Sequence, residues 1–236
     1  TEIYTLSLHD ALPISNVRGG ILLMVFYPGP EIAEIVRSGI PVATPNMDYF
    51  EFGADSVMYD VNQPARFAEL LGHLADRGHR RIAVVVSGDL RRPKLDGMRA
   101  GYDATVARRG LDRAGTLFAV VPEGPEAVAG RVRDWMESDT PPTAIVGGSE
   151  PVLDGIRAAL KRIGRRVPDD VSLAGITTFD YDPFVTSLRI DQRRLGRLAA
   201  ERLADALRNP GRPPEKVVLN AVLHPGRSAA RIGVGR

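Results

Sequence analysis

Ser149 and Glu150 stand side by side in "GGSEP", a hydroxyl next to a carboxylate. A hydrolytic use of that pair needs a histidine partner and a strained G-x-S-x-G turn, and the stretch has neither. The histidines offer little metal chemistry. His73 falls within a helical pattern, His79 just after the Gly78 stop and His224 at the end of a strand pattern, and none has a second ligand at metal spacing. Each reads as structural or exposed. The chain has no cysteine, which excludes disulfides, thiolate nucleophiles and cysteine-held zinc and favours a reducing compartment. Trp135 has a ring that stacks on sugars, but Val128 and Val132 share its helical stripe, so it reads as core. No enzyme is expected, and no metal or cofactor.

What remains is the chemistry of recognition. Asn46 follows the run "IPVAT", Arg92 lies in the loop after "RRIAVVVSG", and Ser149 and Glu150 follow "TAIVGG". Thr177 and Thr178 follow "VSLAGI", with Asp180 and Asp182 just beyond. In an open parallel sheet the carboxyl ends of the strands share one edge, and ligands bind there. Amides, hydroxyls and carboxylates on that edge can pair with a ligand's hydroxyls, and Arg92 with an acidic group.

The elements that must carry these residues are legible as periodicity. "GGILLMVF", "IPVAT", "RRIAVVVSG", "TLFAVV", "TAIVGG" and "VSLAGI" are short apolar runs of buried-strand length. Between them lie helical patterns: Ile32, Ile35 and Val36 share one face before Gly39, and Phe67, Leu70, Leu71 and Leu74 share another before Gly78. Met98, Tyr102 and Val106 recur at i, i+4 and i+8. "PEAVAGRVRDWMESD" and "PVLDGIRAALKRIG" complete the alternation. Repeated βα units with continuously apolar strands predict an α/β fold, a mainly parallel sheet covered by helices on both faces.

Composition agrees. At 236 residues, 44% hydrophobic and 25% charged, the chain has the material of a soluble globular protein with a sizeable core, in one large domain or two smaller ones. No apolar run has bilayer length, since "GGILLMVFYPG" breaks at Pro28 and Gly29. The formal charge is only +2, and the arginines are scattered, which fits a solvated surface better than a phosphate-binding stripe.

Of 31 lysines and arginines only Lys94, Lys161 and Lys216 are lysine, the bias of a GC-rich coding sequence, yet residues 1–15 contain neither lysine nor arginine. That segment, "TEIYTLSLHDALPIS", fits neither a strand nor a helix period and is broken by Pro13. Thr1 through Ile14 match, codon by codon, the translation of a common sequencing-library adapter. The segment reads as adapter-derived and is set aside from fold reasoning, His9 and Asp10 with it. The alternative is a natural but unstructured terminus.

Six stretches carry a family resemblance: "GIPV", "HLADRGHRRIAVV", "GMRAGYDATVARRGL", "PTAIVGG", "RIGRRVPDDVSLAGI" and "TSLRIDQRRLGRLAAERLADAL". In order and spacing they resemble the effector domain of the lactose-repressor (LacI/GalR-type) regulators, from Val17 to Ser228. The resemblance implies a periplasmic-binding-protein-like fold: two parallel-sheet subdomains joined by three crossovers, with a small ligand in the cleft between them. It places residues 16–61 and 191–209 in a truncated N-terminal subdomain, and 62–190 and 210–236 in the C-terminal one. It also implies a cytoplasmic homodimer with no membrane partner. Operator DNA is reached only through a helix-turn-helix domain that nothing before Asn16 encodes.

The resemblance weakens at the effector site. Where the family has an acidic pair this chain has Thr177 and Thr178; an arginine is replaced by Met98, Asn-Asp by Ser149-Glu150 and a glutamine by Ile190. The implied effector is sugar-like or less polar than a free sugar, held by Asn46, Arg92, Met98, Ser149, Glu150, Thr177 and Asp180, with Asp182 a further candidate. Met98 also reads as core, and the threonines as turn residues. The runner-up function is a transporter's solute-binding protein, which shares the fold; "GHRRIA" and "RVPDDVSLAGI" favour the regulator.

Overall fold

A computed structural model describes residues 20–22, 28–61, 63–88, 92–112 and 117–232. The adapter-like segment lies outside the described residues, as does the side chain of Arg92. In chain order the elements are β1 (Ile21–Leu22), α1 (Gly29–Arg37), β2 (Val42–Pro45), β3 (Asp55–Tyr59), α2 (Pro64–Asp76), β4 (Ile82–Ser87), α3 (Arg92–Arg109) and β5 (Phe118–Val121). There follow α4 (Pro125–Met136), β6 (Ala144–Gly147), α5 (Glu150–Arg162), β7 (Ser172–Thr178), β8 (Thr186–Ile190), α6 (Gln192–Arg208), β9 (Lys216–Leu219) and β10 (Val222–His224).

The chain forms two units: residues up to Met58 with Arg193–Val218, and Tyr59–Gln192 with the residues from Leu219 onward. The first contains a four-stranded sheet of order β1-β2-β3-β9, with β1, β2 and β3 parallel. Helix α1 begins with proline in its first turn, carries Glu31 there, and ends in its basic residue Arg37, so both ends suit the helix dipole. Ile32 and Ile35 pack with Ile40, Val42, Tyr49 and Ala54 as this unit's core.

Strand β3 does not read as a strand in the sequence, because Asp55 and Ser56 interrupt its apolar pattern. Both are buried and paired. The Arg212 guanidinium donates to the Asp55 carboxylate from two nitrogens, at 3.1 and 2.6 Å, and the Glu215 N–H adds a third bond at 2.7 Å. Ser56 Oγ accepts the Tyr49 N–H at 3.0 Å. The same bonds explain a difference in boundaries: residues 210–218, expected with the second subdomain, group with the first. "KVVLNAVLH" is accordingly two strands in two sheets, β9 and β10.

The second unit contains a six-stranded sheet of order β10-β8-β7-β6-β4-β5, parallel throughout except for β10. Strands β4 and β6 are buried along nearly their whole length, as continuous apolar runs require when helices cover both faces. Neighbouring residues of an extended segment point to opposite faces. A Cβ on Gly147 would meet Leu153 of α5, and one on Gly148 would approach Met98 of α3, so these helices cover opposite faces. Helix α2 packs on α3, and α4 on α5. Gly78, which stops α2, has φ +96°, and a Cβ there would come within 2.9 Å of the Ile232 carbonyl.

Candidate functional site

The parallel ladders bring the carboxyl ends of β6, β7 and β8 to one edge of the six-stranded sheet. After β6 the chain runs through Gly148 and an extended Ser149 (φ −160°, ψ 167°) into α5, whose first residue is Glu150. A carboxylate at that position is favoured by the helix dipole. It is also bonded across the edge: Glu150 Oε1 accepts the Thr178 N–H at 2.7 Å and the Thr178 hydroxyl at 2.9 Å. Thr177, 2% exposed, spends its hydroxyl on Ser187, with the two oxygens 2.7 Å apart.

Beyond β7 the segment 179–184 is fastened at several points. The Phe179 N–H donates to the Ile190 carbonyl at 3.1 Å, and the Tyr181 N–H to that of Thr178 at 3.3 Å. The Tyr181 hydroxyl donates to Asp154 Oδ1 at 2.6 Å. Loss of solvation and that carboxylate push the phenol up to about 12, so it stays a donor at any ordinary pH. Arg157 Nη1 donates to Asp182 Oδ2 at 3.0 Å, and Asp182 Oδ1 accepts the Phe184 N–H at 2.9 Å. Glu150, Asp154 and Arg157 are thus an i, i+4, i+7 stripe on α5, opposite its apolar face, holding Thr178, Tyr181 and Asp182 in turn.

Ser149, Glu150, Thr177, Thr178, Asp180 and Asp182 therefore gather around one sheet edge. Asn46 follows β2 in the other unit, with φ +62° and its N–H on the Val57 carbonyl at 2.7 Å. Met98 is 0% exposed and packs inside the second unit's core, and Arg92 opens α3. Sequence reasoning did not single out Asp154, Arg157, Phe179 or Tyr181. The polar stripe along "EPVLDGIR" was the available signal for the first two.

His79 is paired inside the protein. His79 is 1% exposed; its Nε2 faces the Ala230 carbonyl at 3.2 Å and must donate, so Nδ1 accepts from the Thr143 hydroxyl at 3.0 Å. Burial holds its pKa below the usual imidazole value. Among the described residues no cluster of histidine and acidic side chains could hold a metal ion. A cavity of 660 Å³ lies at the opposite, amino end of this sheet, between His79, Thr143, Ser172 and the carboxyl-terminal segment.

Residues 71–229 match the model of the periplasmic binding protein-like domain. The HTH-type transcriptional repressor PurR of Escherichia coli O1:K1 / APEC is 27% identical over 221 residues, covering 91% of this chain and 64% of the repressor. This chain thus spans less than two thirds of that relative's length. A LacI family transcriptional regulator from Mycobacterium smegmatis superposes with a TM-score of 0.71 at 26% identity, over 92% of this chain and 81% of that one. A LacI family regulator from Enterococcus faecium, solved with bound ribose, gives 0.77 at 18% identity, over 93% and 82% of the two chains. Among the described residues no helix is long and apolar enough to cross a membrane. With two α/β units, mainly parallel sheets and a model match over most of its length, the chain belongs to the periplasmic binding protein-like family, and the proteins it resembles include LacI-type regulators.

Proposed function

We propose that this chain is the small-molecule-sensing part of a cytoplasmic transcriptional regulator, and that the effector is a carbohydrate or a compound of similar size. The observation that carries this reading is the shared edge at the carboxyl ends of β6, β7 and β8, where polar side chains collect on a rigid α/β frame. Ribose in a structural neighbour supports the ligand class, and relatives named as repressors support regulation over transport or catalysis.

On this reading the protein works by linkage. A small molecule with unequal affinity for two states of the regulator shifts their populations, and a DNA-binding domain elsewhere in the polypeptide reports the shift. The intact regulator acts as a homodimer on operator DNA. The test is made on the full-length protein: its affinity for operator DNA is measured by fluorescence anisotropy with and without saturating small molecule. Reciprocity requires that DNA change the small molecule's affinity by the same factor. Equal DNA affinity in both conditions would refute the regulatory reading.

A further inference from the structure

Among the aromatic side chains of the second unit, Phe179 stands out as 48% exposed. Leaving a phenyl ring in water forgoes a large burial gain, and here the backbone that carries it is fastened. Its own N–H is bonded to Ile190, while the preceding Thr178 is held by Glu150 through both N–H and hydroxyl. Tyr181 and Asp182, just after it, are tied to α5. The ring is therefore presented by a preformed loop at the edge where this fold takes its ligands.

The polar groups around it are largely spent within the protein: Thr177 on Ser187, Thr178 on Glu150, Tyr181 on Asp154 and Asp182 on Arg157. Beside the exposed Asp180, this stretch offers a ligand the apolar face of Phe179. From this, and resting on the effector reading above, we infer that Phe179 is a specificity-determining residue that stacks on the C–H face of a cyclic carbohydrate. An open-chain polyol has comparable hydroxyls but no flat face to lay against the ring.

The test is titration calorimetry of the full chain with D-ribose, D-glucose and the acyclic D-glucitol, repeated on Phe179→Ala and Phe179→Trp. A ring sugar should bind the unaltered protein, and Phe179→Ala should weaken it by roughly tenfold, the scale of one aromatic contact. Glucitol should bind more weakly than the ring sugars, and the gap should shrink in Phe179→Ala. Phe179→Trp should retain binding and report it by a shift in emission, against the buried Trp135. Thermal unfolding controls for folding, since truncating an exposed ring leaves the core intact. Ring-sugar binding equal in the unaltered protein and Phe179→Ala overturns this inference while leaving the effector reading standing. If no ring sugar binds the unaltered protein, the carbohydrate reading fails and this inference with it. A Phe179→Ala change that alters the oligomeric state but not sugar affinity shows that the ring meets a second copy, and also overturns it.

Discussion

The Tyr59 hydroxyl lies against both backbone groups of Asp191, donating to its carbonyl at 3.2 Å and accepting its N–H at 3.1 Å. Both residues adjoin places where the chain passes from one unit to the other, after Met58 and after Gln192. Asp60 does the same for the third passage: its N–H donates to the Leu219 carbonyl at 3.0 Å and its carboxylate accepts the Ala221 N–H at 2.8 Å. Tyr59→Phe keeps the ring and removes the oxygen, and with it both hydrogen bonds to the Asp191 backbone. It is expected to cost about 1–2 kcal/mol of unfolding free energy, read from denaturant titration.

Asp55 and Arg212 form a pair shielded from water, with the Arg212 Nε also 2.9 Å from Asp205. Removing one partner of such a pair leaves a poorly solvated charge. Asp55→Asn is expected to destabilise the chain by about 3 kcal/mol, at the low end for buried pairs because Asp205 remains. The double change Asp55→Leu with Arg212→Met should recover most of that loss, as apolar replacement of buried pairs often does. Denaturant titration of both variants checks this.

Burial lowers the His79 pKa, while an unfolded histidine titrates near 6.5. Below about pH 6.5 the unfolded state therefore takes up a proton that the folded state resists, so stability is full above that pH and declines as pH falls toward the lowered value. His73 is also lowered, chiefly by burial and then by Arg77, and contributes with the same sign. Unfolding free energies at pH 7.5 and 5.5 should differ in the unaltered protein, and less so in His79→Gln.

Glu150 should hold the segment after β7 more than it holds the fold. Glu150→Ala removes the acceptor for the Thr178 N–H and hydroxyl. Amide hydrogen exchange should accelerate at 178–184 while β6 and the rest of β7, up to Thr177, keep their protection. Uniform acceleration across the unit would assign Glu150 a global role instead.

The alternation of apolar runs and helical faces was readable because buried parallel strands and covering helices have different periods, as β4 and the Phe67–Leu74 face of α2 show. Strands β3 and β8 were hidden because Asp55, Ser56, Thr186 and Ser187 are polar in composition yet buried, each satisfied by a partner far away in sequence or on a neighbouring strand. The site was partly legible for the same reason. Strand ends name positions such as Ser149 and Thr177, but the sequence does not reveal which hydroxyls are already spent. Only tertiary pairing shows that Thr177 is committed to Ser187, or that an exposed Phe179 follows it.

The most direct measurement is the hydrogen-exchange footprint of a bound ring sugar on the full chain, collected at a concentration where calorimetry shows saturation. Protection should appear at Ser149–Glu150 and across 177–182, the carboxyl edge of the six-stranded sheet. Protection confined instead to Gly78–Arg81 and 168–172, around the 660 Å³ cavity at the amino edge, would contradict the placement of the effector site.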